Sequence, residues 1–193
     1  MAERAAETRE ALLSAARELF GQRGFAAVGT EEIVRTARLT RGALYHHFEG
    51  KEDLFRAVYE AVEAELVQQV AAIALATENP LEALRAGARA FLDACEDPAV
   101  RQITLIDAPA VLGWEQWREI GTRYGLGLVQ STLEAAMEAG LTPRQPVRPL
   151  AHLLLGSIDE AGLLVARADD AGRTKREVGE AVDRFLDALL GDR

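Results

Sequence analysis

The stretch from Thr30 to Lys51, TEEIVRTARLTRGALYHHFEGK, constrains the fold more than any other part of this chain. Thr30 is placed to N-cap a short helix, and Glu31 and Glu32 favour the positive end of its dipole. Ile33, Val34 and Ala37 give that helix an apolar inner face. Arg38-Leu39 makes a turn, and Thr40 caps a second helix from Arg41 to about His47. At roughly 100° per residue, Leu44 and Phe48 fall on one side of the second helix and pack under the first. Gly42, Ala43 and His46 fall opposite, with Tyr45 and His47 on the flanks and Arg41 at the exposed N-terminal end. A short helix whose outer face is small, aromatic and basic is not mainly structural. It suits a major groove, where small residues permit close approach and the flanking groups reach bases and phosphates.

The pattern Phe25-x4-Thr30-x2-Ile33-x3-Ala37-x-Leu39-Thr40-x-Gly42-x-Leu44-Tyr45-x-His47-Phe48-x2-Lys51-x2-Leu54 resembles the DNA-binding segment of the TetR family of bacterial transcriptional regulators. It covers about a quarter of the chain and is specific, because many positions agree at fixed spacing. The resemblance implies that Thr30, Thr40, Tyr45, His47 and Lys51 contact phosphates, with Lys51 helped by its helix N-terminus. It also implies that Arg41, Gly42, Ala43 and His46 face the bases, an arginine on guanine being the leading specific contact. One position departs from the family: glycine is usual in the turn, where this chain has Arg38. Arginine there either takes a strained positive φ or forms a different turn.

Charge alone argues against a nucleic-acid binder, since the net charge is −9. Its distribution decides otherwise. Residues 1–55 hold eight Lys/Arg against nine Asp/Glu, and residues 56–193 hold fourteen against twenty-two. The acidity therefore lies mainly away from the motif, which predicts modest non-specific affinity and dependence on a specific site. No apolar run suggests a membrane span of ~20 residues, and the first ten residues lack a signal-peptide core. A cytoplasmic location is the expectation. The single cysteine, Cys95, excludes an internal disulfide and any four-cysteine zinc site.

Taken in order, the rest of the chain reads as helices. The first spans about Thr8 to Gly24, with Leu12, Leu13, Ala16, Leu19 and Phe20 at helical spacing, and completes a three-helix head. A long helix from Lys51 to about Thr77 carries the stripe Leu54, Phe55, Val58, Tyr59, Val62 and Leu66. Asn79-Pro80 and Asp97-Pro98 are helix starts. Pro109 must end or kink the segment that follows. Trp114 to Gly140 is helical with interruptions at Gly121, Gly125 and Gly127, and residues 142–149 form a stiff connector. Residues 149–168 are apolar nearly all round, so that helix is buried on more than one side. Thr174 to Glu177 is a capping box for the last helix. With no strand pattern or repeat, the fold class is all-α, about nine helices. Residues 1–50 would be the helix-turn-helix DNA-binding domain and 51–193 a helical effector-binding and dimerisation domain.

An enzyme is not expected. The chain has no Glu-x-x-His pair, no His-Glu-x-x-His and no Gly-rich phosphate loop, and neither cofactor nor metal is implied. Cys95 on an apolar stripe reads as core. In the second domain Phe91, Trp114, Trp117 and Tyr124, with the polar groups Asp107, His152 and Asp159, are the candidates for lining an effector site. The family resemblance implies a small-molecule effector there. An acid in such a wall favours a cationic or hydrogen-bond-donating molecule, and a space near ~300 Å³ is expected. Two reading heads about 34–36 Å apart are needed to reach successive major grooves of a pseudo-palindromic operator. A homodimer is therefore expected, through Leu154, Ile158, Ala161 and Val165 on one helix and Val182, Phe185 and Leu189 on the next. The function expected is a transcriptional repressor released from its operator by a small molecule. The alternative is a DNA-binding dimer without an effector.

Overall fold

The computed structural model describes residues 2–190. They form nine helical segments and no strand: α1 (Ala2–Arg23), α2 (Thr30–Thr36), α3 (Arg41–His47), α4 (Lys51–Leu75), α5 (Pro80–Ala94), α6 (98–111), α7 (Gly113–Glu138), α8 (Val147–Ala166) and α9 (Ala171–Leu190). They divide into two compact units, residues 2–62 with 97–117, and residues 63–96 with 118–190. This packing division differs from the expected boundary at 50/51. The first three turns of α4 and all of α6 pack with the head, and α4 runs unbroken through both units.

In the first unit, Leu12, Ala16 and Phe20 of α1 are fully buried, as are Ile33 of α2, Leu44 of α3 and Phe55 of α4. The rings of Phe20, Phe25 and Phe55 meet pairwise at 5.1–5.6 Å, two of the three pairs edge-on, which is the favoured arrangement of aromatic quadrupoles. Gly21 lets α6 approach α1, because a Cβ there would lie 2.6 Å from Ala99 Cβ. Pro109 neither ends nor sharply breaks α6. The segment runs Pro98–Val100 in α geometry, widens to a π-helix over Arg101–Asp107 and returns to α over Ala108–Val111. The N–H that proline lacks would serve a carbonyl four or five residues back. The carbonyl of Thr104, five back, instead accepts from the indole N–H of Trp117 at 2.9 Å.

The second unit is built around Leu84 of α5, Val129 and Leu133 of α7, Leu150 and Leu154 of α8 and Leu186 of α9. Asn79 caps α5 as its sequence predicts, accepting from Leu81 N–H at 2.9 Å and Glu82 N–H at 3.2 Å. Three sequence expectations are corrected here. The glycines at 121, 125 and 127 do not interrupt α7, since packing of that helix outweighs its local propensity. The last helix starts at Ala171, with Asp170 Oδ1 accepting from Arg173 N–H at 2.9 Å, so Asp170 caps it four residues before Thr174, the expected cap. By length and mean hydropathy (1.3), α8 does suffice to cross a membrane, but Leu150, Ala151, Leu154, Ala161, Leu163 and Val165 are buried in the bundle. Ion pairs clip α9 onto α5: Arg89 to Asp183 at 2.7 Å, Lys175 to Asp93 at 2.6 Å, and Arg85 to Asp187.

Candidate functional site

The turn between α2 and α3 sets the aim of α3. Leu39 N–H donates to Val34 O at 2.8 Å and Arg38 N–H to Arg35 O at 3.1 Å, the paired bonds of a Schellman cap. Arg38 occupies its left-handed position with φ of 56°. The turn that glycine would make is therefore kept with arginine in place, and the strain is accepted. Thr40 caps α3 as expected, its hydroxyl accepting from Ala43 N–H at 3.2 Å. Thr30 does not cap α2. Gly29 holds that position without a side-chain bond, its carbonyl taking the first helical N–H groups, and Thr30 is the first helical residue, half-buried.

Leu44 and Phe48 lie beneath α3, buried at 0% and 4% exposure, and fix it to the head. Arg41, Gly42, Tyr45 and His46 are exposed, with Ala43 and His47 half-buried beside them. The Arg41 guanidinium stands 5.5 Å from the Tyr45 ring centroid and 3.8 Å from Glu31 Oε1. The imidazoles of His46 and His47 meet edge-on at 5.1 Å. Arg35 and Arg38, absent from the expected set, are also exposed on the turn side. Three cations (Arg35, Arg38 and Arg41), an aromatic hydroxyl and two imidazoles around a helix with a glycine at its second position can hydrogen-bond phosphates and base edges.

Lys51 departs from its expected phosphate role. Its ammonium donates to Phe25 O at 2.7 Å and to Val28 O at 2.8 Å, and sits 3.9 Å from the Phe25 ring centroid. Burial pulls its pKa down, against the opposing fields of Asp107 and Glu52. Two of its three donors are thus spent on the loop before α2, and the side chain locks that loop to the start of α4.

The expected effector residues are scattered. Asp107 belongs to the first unit, where its carboxylate accepts from Phe25 N–H at 2.7 Å and from Gln102 Nε2 at 3.1 Å. Trp117 is core there, bonded to Thr104, and its own carbonyl accepts from the Tyr59 hydroxyl at 3.3 Å. Trp114 lies over it with ring centroids 4.8 Å apart and is 60% exposed. Tyr124 and His152 are half-buried, and neither lines the cavity of the second unit. That cavity, of about 80 Å³, is walled by α4, α5, α7 and α8, and of the expected residues only Phe91 and Asp159 reach it. It falls short of the ~300 Å³ expected of a ligand pocket.

Two residues of this site were not anticipated. Glu63 of α4 lines the cavity, and Arg118 of α7 holds Asp159 in an ion pair. Arg118 runs along the face of α8 formed by His152, Gly156 and Asp159: its other nitrogen is 3.4 Å from His152 O and 3.4 Å from where a Cβ on Gly156 would stand. Burial, reinforced by the Asp159 charge, pushes Glu63 up to about 7. Burial also pushes Asp159 up to about 6, with Arg118 opposing. Cys95 is fully buried and pushed up to about 12, first by burial, so its thiol stays protonated and inert, as a core cysteine should. The signal for Glu63 was available, because it lies four residues after Tyr59 and three before Leu66 on an apolar stripe.

The expected dimer stripe is also redistributed. Leu154, Ala161 and Val165 are buried within their own protomer, at 1%, 4% and 1% exposure, and Ile158 lines the cavity. Val182 is half-buried against the same core, while Phe185 is 39% exposed. The side chain of Leu189 lies outside the described residues. Because α8 is apolar nearly all round, its own bundle takes that face first. Its outward face instead carries Leu153 and Leu164, at 65% and 51% exposure.

Comparison with known proteins agrees with this geometry. Residues 12–58 match the model of bacterial regulatory proteins of the tetR family, and residues 81–189 match a tetracyclin repressor-like C-terminal domain. A TetR-family transcriptional regulator from Pectobacterium atrosepticum shares 32% identity and superposes with a TM-score of 0.89, covering 100% of this chain and 98% of that one. The Tn10 TetC protein of Escherichia coli is 29% identical over 151 residues, 77% of this chain and 75% of that protein. AcrR of Shigella flexneri, an HTH-type transcriptional regulator, is 42% identical over 62 residues, 32% of this chain and 29% of that protein. The structure of RolR with resorcinol has the same fold at 21% identity, with a TM-score of 0.75 over 96% of this chain and 90% of that one. With a helix-turn-helix head and a matching C-terminal domain, this chain belongs to the TetR family of transcriptional regulators.

Proposed function

We propose that this regulator is a cytoplasmic, homodimeric repressor that binds a pseudo-palindromic operator and leaves it when a small molecule enters the second unit. Residues 1–50 act as the reading domain and 51–193 as the effector and dimerisation domain. The DNA surface is Thr40, Arg41, Gly42, Ala43, Tyr45, His46 and His47, with Arg35 and Arg38 adding charge. The single observation that carries the effector is the cavity walled by four helices, one of them α4, which begins at the head. A ligand there shifts the equilibrium only by preferring the state that does not bind DNA. The outward faces of α8 and α9, with Leu153, Leu164, Ala181 and Phe185, form the symmetric four-helix contact. The cavity's 80 Å³ favours the second reading, a DNA-binding dimer without an effector.

Selection from random duplexes tests the DNA assignment. The enriched sites should be two half-sites about 10 base pairs apart or a multiple of that. Arg41→Ala should relax preference at one position per half-site, by about 1–3 kcal/mol. Absence of enrichment, or a variant with unchanged preference, removes this surface from the proposal.

A further inference from the structure

The charges around the cavity do not balance. Glu63 and Asp159 both line it, and Arg118 pairs with Asp159 alone. Glu63 sits deep in the unit, has part of its surface open to the cavity, and has no hydrogen-bond or ion-pair partner among the described residues. The remaining wall is hydrocarbon, including Leu66, Val70, Phe91 and Ile158. With both acids ionised and Arg118 charged, the group carries one uncompensated negative charge in apolar surroundings. A buried carboxylate left so is costly unless something pairs with it.

Resting on the reading of this cavity as the effector site, we propose that its ligand is a compact organic cation, an ammonium or amidinium on a short apolar body. The N–H groups of the cation donate to the Glu63 carboxylate, and the body lies among Leu66, Val70, Phe91 and Ile158. One positive charge brings the Glu63–Asp159–Arg118 group to neutrality. Asp159 orients the cation through its charge while remaining with Arg118. The small volume limits the body to a few carbons unless the walls part. Near neutral pH Glu63 is only partly ionised, since burial holds it up to about 7. Binding therefore takes place with proton release and strengthens as the medium becomes more alkaline. The titratable groups coupled to Glu63 are Asp159, whose charge raises it, and the thiol of Cys95, which Glu63 raises in turn, while the charge of Arg118 acts on Asp159 and that of Lys175 on Cys95.

The test is calorimetric titration of the full chain with n-propylammonium and n-butylammonium, each against its neutral counterpart, n-propanol and n-butanol. The cations should bind at least about tenfold more tightly than the alcohols at about pH 8, and lose most of that advantage near pH 5. Glu63→Gln and Glu63→Met, each checked for native helicity, should lose the same factor. Equal binding of alcohol and amine, unchanged binding in both variants, or no amine binding by the wild type overturns the proposal. Operator affinity measured alongside separates the two levels. Alcohols that bind and release DNA leave the regulator standing without the cation site. Amines that bind through Glu63 without weakening DNA leave the site standing without the regulator.

Discussion

Lys51 and Glu63 lie on the same helix, one in each compact unit, and are treated in opposite ways. The Lys51 ammonium has two carbonyls at 2.7 and 2.8 Å and an aromatic face at 3.9 Å. The Glu63 carboxylate has apolar walls and a second acid near it. A charge that holds a fold together is paired by the fold itself. One left unpaired in a cavity lowers stability and is kept only where something else meets it. The fold itself pairs the charge of Lys51, whereas it leaves that of Glu63 to the cavity.

Removing the unpaired charge should have the larger effect, and it should be a gain. An unfolded glutamate titrates near 4.5, whereas in the fold Glu63 is pushed up to about 7. A group raised in this way has its full stability below its unfolded pKa and loses it as pH rises through the folded one. The wild type is therefore penalised progressively between those values and fully above about pH 7. Glu63→Gln should melt like wild type below about pH 4.5 and be more stable by about 3 kcal/mol above pH 7. Urea midpoints across that range check it. A variant no more stable than wild type at pH 8 would mean that Glu63 is already satisfied, and the contrast with Lys51 would collapse.

Removing the paired charge should do the reverse. Lys51→Met keeps the length of the side chain but leaves Phe25 O and Val28 O without their donor. A charged hydrogen bond is worth about 1.5–3 kcal/mol, so a loss of about 2 kcal/mol is expected. The slope of log K against log [salt] for operator binding separates structure from DNA contact. An inward-facing lysine leaves the slope unchanged, whereas a phosphate ligand would flatten it by about one. A flattened slope with unchanged stability would return Lys51 to the DNA surface.

What the sequence made legible follows the range of the interactions. The all-α fold, the helix-turn-helix, the Thr40 and Asn79 caps and the burial of Leu44 and Phe48 rest on periodicity and on contacts within a few residues. The misplaced cap of α2 and the early start of α9 are errors of about one turn, decided by whichever neighbouring group took the N–H. The effector residues failed for a different reason. Trp117 and Asp107 looked like lining because they are polar or aromatic among apolar neighbours. In the fold they satisfy backbone groups, the Thr104 carbonyl and the Phe25 N–H, that no local pattern reveals. Which apolar face of α8 its own bundle uses is likewise undetermined by the sequence, since the helix is apolar nearly all round. Glu63 lies at the spacing of an apolar stripe, yet a charged residue on a helix is ordinarily solvated, so the pattern alone does not mark it.

Arg38 offers the smallest and most discriminating effect, because it joins local strain to an exposed charge at the reading head. A non-glycine residue at φ of 56° carries about 1–2 kcal/mol of strain. Glycine relieves it but gives the unfolded chain more freedom, which offsets about 0.5–1 kcal/mol. Arg38→Gly should therefore raise stability by only ~0.5 kcal/mol, with the two Schellman bonds intact. If strain is tolerated here for the charge, operator affinity should fall and the salt slope should flatten by about one. Arg38→Asn supplies the control, since asparagine tolerates the left-handed region better than arginine while losing the same charge. Equal weakening in both variants assigns the arginine to the phosphate backbone. Weakening in the glycine variant alone would instead make turn stiffness the reason, with Arg38 fixing the angle at which α3 meets the groove. Unchanged DNA binding in both would leave the strain without a function.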